Sequence, residues 1–133
     1  MSQMRSPKFD EETERIATII VDSAFKVHTT LGPGLLESIY ELCLVHELRK
    51  HALDVKTQVG IPIVYDDIRL DGGLRLDILV NDLIIIEVNA VMIMSPVFEA
   101  QIISYLRLTD RHLGFLINFT VPLIKDGIGR IVR

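Results

Sequence analysis

The chain has 133 residues, of which 49% are hydrophobic and 24% charged, and its formal net charge is −4. This length suits one domain with a real core, and the apolar content excludes an intrinsically disordered chain. The acidic balance gives no general support for nucleic-acid binding, so any basic groove has to be local. The single Cys43 cannot form an internal disulfide, and no apolar run is long enough to span a bilayer. We therefore expect a soluble, cytoplasmic protein that does not bind membranes.

Two helices are predicted in the first part of the chain, after a flexible polar lead-in over residues 1–9. The first helix spans Asp10–Thr30, where apolar residues recur at helical spacing behind three acidic residues that favour a helix N-terminus. The sequence Leu31-Gly32-Pro33-Gly34 ends this helix. The second helix spans about Leu35–His51 and has apolar residues on nearly every side, so we expect it to be largely buried.

Glu37 is an unusual residue for such a helix. Helical spacing places its carboxylate on the stripe that contains Tyr40, Leu44 and Leu48. The simplest explanation is a first-turn glutamate that the helix dipole stabilises.

The middle of the chain is predicted to form strands. Residues 57–65 alternate as a strand, and Pro62 indicates a sheet edge or a bulge. A short strand over Ile68–Leu70 follows, and Asp71-Gly72-Gly73 breaks or bulges it. The stretch Leu74–Ala90 is then predicted as two strands joined by a polar turn.

The register of this last hairpin decides whether Asp77 and Glu87 meet. A two-residue turn pairs Val80 with Leu83 and sends the two carboxylates to opposite faces. A three-residue loop pairs Val80 with Ile84, and therefore Asp77 with Glu87. The second register is favoured, because it also gathers one continuous apolar face from Leu76, Ile78, Ile84, Ile86 and Val88.

Two adjacent strand carboxylates have two interpretations. In the first, Asp77 and Glu87 form a site for a hard divalent cation, since such ions prefer carboxylate oxygens. In the second, they are ordinary strand residues whose charge is balanced by Arg75 or another cation. The residues alone leave both interpretations open.

The last third of the chain is predicted as a helix, a strand and a short segment. Ser95-Pro96 are a good N-cap and first-turn pair for a helix that runs to about Leu108. An apolar strand over His112–Phe119 follows, and then a short segment over Ile128–Val132. The strand–helix–strand connection indicates a parallel pair. The predicted class is α/β or α+β, with helices flanking a small mixed sheet, and residues 10–133 form a single domain.

Several of these stretches resemble one known family. The segment Gly34-Leu35-Leu36-Glu37-Ser38-Ile39-Tyr40 is similar to the GxxExxY signature, which names a group of small bacterial and archaeal proteins within the PD-(D/E)XK nuclease-like superfamily. The other similar stretches are Leu31-Gly32-Pro33, the Asp77 strand, Glu87-Val88-Asn89-Ala90, Pro96 to Tyr105, Leu116-Ile117-Asn118-Phe119, Pro122 and Lys125-Asp126-Gly127-Ile128. The resemblance implies a core of helix, three strands, helix and strand, which agrees with the predicted order.

The resemblance implies a nuclease that depends on Mg²⁺ or Mn²⁺ and hydrolyses DNA or RNA. Metal binding is assigned to Asp77 and Glu87, with the main-chain carbonyl of Val88 as a further ligand. Glu37 approaches from the helix as a catalytic residue, directly or through a metal-bound water.

The resemblance also points to residues that contact the substrate. Gln101 and Tyr105 resemble a Q-x-x-x-Y element that lies near the site in exonuclease-type members. The predicted substrate-binding residues are Tyr40, Arg75, Gln101 and Tyr105.

Asn89 is the main departure from the superfamily pattern, in which this position is a lysine. An amide cannot carry positive charge, although it can orient a water molecule, so Asn89 is kept as a predicted catalytic residue. The function predicted is a nuclease that the loss of the lysine impairs. The alternative is a catalytically inactive protein of the same fold that binds nucleic acid or another protein, including a second copy of itself in a homo-oligomer.

Overall fold

The computed structural model describes residues 8–133, and this part of the chain forms three α-helices and a five-stranded mixed sheet. The elements are α1 (Glu11–Leu31), α2 (Glu37–Arg49), β1 (Val55–Tyr65), β2 (Ile68–Val80), β3 (Ile84–Asn89), α3 (Pro96–Leu108), β4 (Leu113–Asn118) and β5 (Ile128–Val132). The strands lie in the order β1-β2-β3-β4-β5. Only β3 and β4 are parallel, and the other neighbours are antiparallel. The predicted mixed α+β class and the parallel pair are confirmed.

Helix α1 begins at the predicted position. Asp10 is its N-cap, and one carboxylate oxygen accepts the N–H of Thr13 at 2.8 Å. Phe9 packs against the core, and its N–H donates to Glu14 Oε2 at 2.9 Å, so the folded unit includes this residue of the predicted lead-in. Residues 1–7 of that lead-in lie outside the described residues. No helix within residues 8–133 combines the length and the apolar character needed to cross a membrane.

Helix α2 is less buried than its composition predicts. It buries a single stripe, Tyr40, Leu44, Val45 and Leu48, whereas Leu42 remains 71% exposed. The prediction of a largely buried helix is therefore wrong. Only one side of α2 packs against α1 and the sheet, so the apolar residues on its other side have no neighbouring layer to cover them.

Strand β2 is one long strand rather than the two predicted pieces. The ladder between β1 and β2 continues past the glycines, with a register shift between Ile61 and Ile63. Pro62 lies at this shift and β1 is at the sheet edge, so the edge and bulge predictions both hold. A side chain at Gly73 would lie 2.7 Å from Cγ1 of Ile63, so the bulge requires a residue without a Cβ there.

Helices pack on both faces of the sheet, as predicted. The larger core cluster contains buried residues of α1, α2 and the sheet, among them Ile16, Ile20 and Leu44. The smaller cluster joins α3 to the sheet through Ile102, Leu106, Leu74, Leu76, Leu79 and Ile85. Ser95 caps α3, since its hydroxyl accepts the N–H of Val97 at 3.3 Å. The two layers hold the β2–β3 hairpin between α2 and α3.

Candidate functional site

The β2–β3 hairpin has the register that brings Asp77 and Glu87 together. Val80 pairs with Ile84 across a three-residue loop. The first two loop residues, an asparagine and an aspartate, have φ values of 50° and 57°. These residue types adopt the left-handed conformation more readily than most, so the loop suits its sequence. The predicted register is confirmed.

The two carboxylates lie just beyond the last paired residues of β2 and β3, which are Ile78 and Ile86. The N–H of Asp77 donates to Glu87 Oε2 at 2.9 Å, and the N–H of Val88 donates to Asp77 Oδ2 at 2.9 Å. Each carboxylate thus accepts a main-chain N–H that a carbonyl of the partner strand would accept in a regular ladder. These bonds engage one oxygen of each carboxylate and fix the pair where the two strands separate.

Asp77 lies at a break in the alternation of β2. Leu76 and Leu79 belong to the same core cluster on the α3 side, while Ile78 packs in the cluster on the α1 and α2 side. Residues three apart on a regular strand point to opposite faces, so β2 is distorted between Leu76 and Leu79. The predicted continuous apolar face is wrong for Leu76. The partner position on β1 is Gln58, whose φ of 52° departs from strand geometry.

Helix α2 brings two further carboxylates to this place. Glu37 is its first residue, and Glu41 follows one turn later on the same side. The Nε2 of Gln58 donates to both carboxylate oxygens of Glu41, at 3.1 and 3.0 Å. Gln58 also lies close enough to the carboxyl of Asp77 to oppose the rise of its pKa. We call the four carboxyl groups the acidic cluster: Glu37, Glu41, Asp77 and Glu87.

Burial raises the pKa of all four carboxyls, and repulsion from neighbouring carboxylates adds to this at Glu37, Glu41 and Glu87. The largest effect is on Glu87, where burial first and the charge of Asp77 second raise the pKa to about 8. Burial raises the pKa of Asp77, against the hydrogen bonds that its carboxyl accepts. Burial and then the charge of Asp77 raise the pKa of Glu37, and burial is also the main cause of the raised pKa of Glu41. The acidic cluster therefore resists full ionisation at neutral pH.

No basic side chain balances this charge within residues 8–133. None of the ion pairs in the described part of the chain involves a member of the acidic cluster. Arg75 is exposed, lies opposite Gly60 in the β1–β2 ladder and forms no ion pair there. The interpretation in which Arg75 neutralises the strand carboxylates is therefore wrong. The cluster is open to solution, since Glu37 and Gln58 are exposed.

Helix α3 borders the acidic cluster on the other side. Tyr105 is half-buried, and burial together with the charge of Glu87 raises the pKa of its phenol. Gln101, one turn earlier, is exposed and lies close enough to the Tyr105 phenol to oppose the rise of its pKa. These two predicted residues are thus near Glu87. The N–H of Val88 points towards β2, and its carbonyl points to the same side, because the two groups of one strand residue do so.

Asn89 is buried, with 9% of its surface exposed, and its Oδ1 has no hydrogen-bond partner within residues 8–133. It follows Glu87 by two positions on β3 and therefore shares its face. The neighbouring Asn118 of β4, in contrast, uses its amide on Val91, donating to the carbonyl at 2.9 Å and accepting the N–H at 3.2 Å. A buried unpaired carbonyl oxygen is costly, so Asn89 leaves an acceptor free beside the cluster.

Tyr40 is a structural residue in this fold, which corrects its predicted role in substrate binding. Its side chain is fully buried and stacks on Phe119, with ring centroids 4.7 Å apart. Its hydroxyl donates to the carbonyl of Gly32 at 2.5 Å and accepts the N–H of Leu35 at 3.0 Å. Both hydrogen bonds hold the loop between α1 and α2. Tyr40 therefore positions the start of α2, including Glu37, and does not reach a substrate.

Two residues of the site were missed in the sequence. Glu41 could have been identified from the sequence, because it lies four residues after Glu37 and therefore on the same side of the helix. Gln58 could not, because its place opposite Asp77 depends on the long-range pairing of β1 with β2. An alternating strand pattern predicts neither the partner strand nor a left-handed residue within it.

The donor atoms in and beside the acidic cluster are of the types that bind a hard cation, but their arrangement is not that of a formed metal site. Carboxylate oxygens, the carbonyl of Val88 and the free Oδ1 of Asn89 are the ligand types that Mg²⁺ and Mn²⁺ take. Within the described residues, however, no group of three or more His, Cys, Asp or Glu side chains is arranged to hold an ion. A cation would have to draw the carboxylates closer together.

Comparison with known proteins agrees with the fold. The chain matches the family model described as the PD-(D/E)XK nuclease superfamily over residues 14–131. No curated protein and no solved structure gave a match. Superfamily members generally use divalent metal ions and act on nucleic acid. Because the match covers most of the chain and includes the hairpin with Asp77 and Glu87, the protein belongs to the PD-(D/E)XK nuclease superfamily.

Proposed function

We propose that this protein is a divalent-cation-dependent phosphodiesterase that acts on nucleic acid, and that it belongs to the GxxExxY group of the superfamily. The observation that carries the proposal is the convergence of the acidic cluster, without a balancing cation, where β2 and β3 separate. Four carboxyls that repel one another in this way favour the binding of a positive ion.

Mg²⁺ or Mn²⁺ would be held by Asp77 and Glu87, with the carbonyl of Val88 as a further ligand. When bound, such an ion polarises the phosphodiester and makes a bound water more acidic. Glu37 is exposed at the start of α2, next to the main chain of Ala90, and its carboxyl would accept a proton from water or hold that water in place.

The remaining predicted residues are assigned to positioning and binding. Asn89 orients a water beside Glu87 through its free Oδ1, but cannot supply the positive charge of the lysine that it replaces. Gln101 and Tyr105 contact the substrate from α3, and exposed Arg75 attracts the phosphate backbone from β2. We therefore expect slow cleavage compared with a site that keeps the lysine.

A second function is favoured by a specific observation. Each strand carboxylate already accepts a main-chain N–H, and the loop after β3 exposes large apolar side chains: Met92 is 87% and Ile93 84% exposed. A non-catalytic nuclease fold that binds nucleic acid or a protein, including a second copy, would keep both features. In that case the acidic cluster hydrogen-bonds the β2–β3 hairpin and takes no part in catalysis.

Cleavage assays with single- and double-stranded DNA and RNA distinguish these two functions. The purified protein is compared in Mg²⁺, in Mn²⁺ and in EDTA, together with Asp77→Asn and Glu87→Gln. Asp67→Asn, which changes an exposed turn carboxylate, is the matched control. We expect metal-dependent cleavage by the wild type and the control, and at least 100-fold less, as an order of magnitude, by the two site variants. Equal cleavage by wild type and Asp77→Asn would mean a contaminating nuclease and would overturn the proposal.

A further inference from the structure

Gln58 has a backbone conformation that its side chain does not favour. Its φ of 52° lies in the left-handed region, yet the residue is inside β1, between Thr57 and Val59, which pair normally with β2. The other non-glycine residues with such φ values are the loop residues of the β2–β3 hairpin and Ala52, Asp66 and Asp110. These lie in turns or just beyond helix ends. A left-handed glutamine within a strand is an outlier of the kind that functional sites keep.

The side-chain amide of Gln58 is directed at the acidic cluster. Its nitrogen donates to the two carboxylate oxygens of Glu41, at 3.1 and 3.0 Å, and the amide is close enough to Asp77 to oppose the rise of that carboxyl's pKa. Gln58 is exposed, so it contributes little to the core. It links β1, β2 and α2, three elements that contribute to the site.

We propose that Gln58 is a positioning residue, whose amide holds the carboxylate of Glu41 beside Asp77 and so favours the binding of a divalent cation by the acidic cluster. This inference rests on the proposed function for the identity of the ion. The left-handed backbone at Gln58 lies opposite the point near Asp77 where the alternation of β2 side chains between the two faces breaks. The left-handed backbone therefore directs the amide at the acidic cluster, as bulges beside active sites re-aim side chains. A glycine would fit this backbone with less strain but would bring no amide.

The test uses the full chain and separates positioning from folding. Gln58→Gly removes the amide and relieves the backbone, while Gln58→Ala removes the amide and keeps the strain. Ala52→Gly is the matched control, because it relieves a φ of 57° away from the acidic cluster. Thermal melts without metal and calorimetric titrations with Mn²⁺ are recorded for all four proteins.

We expect Gln58→Gly to melt at or above the wild-type temperature, as Ala52→Gly does, and yet to bind Mn²⁺ roughly tenfold more weakly. Gln58→Ala should show the same weaker binding together with a lower melting temperature. Ala52→Gly should bind Mn²⁺ as the wild type does. A Gln58→Gly variant that melts lower but binds Mn²⁺ normally would overturn the proposal and leave Gln58 a purely structural residue.

A second measurement decides the case in which the wild type binds no Mn²⁺ and the proposed function fails. The side-chain amide resonances of Gln58 are recorded by NMR in metal-free wild type, Glu41→Gln and Asp77→Asn, with Asp67→Asn as control. If the amide is hydrogen-bonded to Glu41 beside Asp77, its resonances shift in both cluster variants and not in the control. Unchanged resonances would overturn the positioning role independently of any metal.

Discussion

At the scale of single residues, the most informative position is Asn89. The resemblance implies that this position corresponds to the motif lysine of the superfamily. Here an amide occupies the position, with an Oδ1 that finds no partner within residues 8–133. On the same face, burial first and the charge of Asp77 second raise the pKa of Glu87 to about 8, and no ion pair balances its charge within residues 8–133.

We predict that a lysine at position 89 raises metal-dependent cleavage above the wild-type rate. Asn89 shares the face of Glu87, so the ammonium of Asn89→Lys can reach towards the cation and the scissile phosphate. A preorganised charge of this kind is often worth about 100-fold in rate. We expect that gain in metal-dependent cleavage, measured on the nucleic acid that the wild type cuts best. The burial of the lysine should be tolerated, because the acidic cluster pairs with it.

The control is Asn89→Lys combined with Asp77→Ala, which should cut no better than Asp77→Ala alone. If Asn89→Lys folds and binds Mg²⁺ but cleaves nothing, the missing lysine does not limit activity. The second function, a non-catalytic binding protein, would then be preferred.

At the scale of the elements, the site depends on how α2 and α3 meet the sheet. Helix α3 sits directly on β4 at Gly114, where a Cβ would lie 2.9 Å from Cδ1 of Ile102 and 3.3 Å from the carbonyl of Ile85. The close approach of the helix that bears Gln101 and Tyr105 is therefore fitted to a residue without a side chain at this position. The apolar pattern of α3 in the sequence predicts the helix but not its close contact with β4.

We predict that Gly114→Ala overpacks this contact and lowers the free energy of unfolding by about 1 kcal/mol or more. The nearest atom is the end of the Ile102 side chain, so Ile102→Val should make room for the new methyl group. In a double-mutant cycle measured by urea unfolding, the combined variant should lose less stability than the sum of the two single changes. Simple additivity would mean that the helix shifts as a whole instead of repacking.

At the scale of the whole molecule, the acidic cluster couples stability to pH. The raised pKa of Glu87 means that the folded state binds more protons than the unfolded chain between the ordinary value, 4.5, and about 8. Stability therefore decreases as pH rises through this window and becomes level above it. Asp77, Glu37 and Glu41 have raised pKa values and act in the same direction.

We predict that metal-free protein loses on the order of 2 kcal/mol between pH 5 and pH 8, after allowance for screening by solvent. Thermal melts should show a decrease of roughly 5 °C or more. Glu87→Gln keeps an acceptor for the N–H of Asp77 but no longer titrates, so its melting temperature should vary much less with pH. A wild type whose stability rises from pH 5 to pH 8 would contradict the assignment.

Divalent cations should reverse this loss. An ion that binds only the folded state stabilises it by about 2.7 kcal/mol at a concentration 100 times its dissociation constant. We expect Mg²⁺ and Mn²⁺ to raise the melting temperature, and more so at pH 8 than at pH 6, because protons compete for the same carboxylates. Asp77→Ala should show no such rise. An equal shift in wild type and Asp77→Ala would place the ion elsewhere on the surface.

The sequence by itself determined the features that depend on local patterns. Alternation and turn chemistry predicted the register that joins Asp77 to Glu87, because a one-residue slip would have mixed polar and apolar faces. The order of helices and strands, the parallel pair and the superfamily also followed from the chain. The extent of β2 did not, because a proline and two glycines can bulge a ladder as well as end it.

Only the tertiary structure decided which other residues belong to the site. Gln58 reaches the acidic cluster because β1 pairs with β2, which is distant in the sequence. Tyr40 is not part of the site, because its ring is buried against Phe119 and its hydroxyl is hydrogen-bonded to loop atoms. The exposure of α2 was likewise set by which layers lie beside it. Local patterns specify how a residue alternates or repeats, but its neighbours from distant parts of the chain depend on how the elements pack.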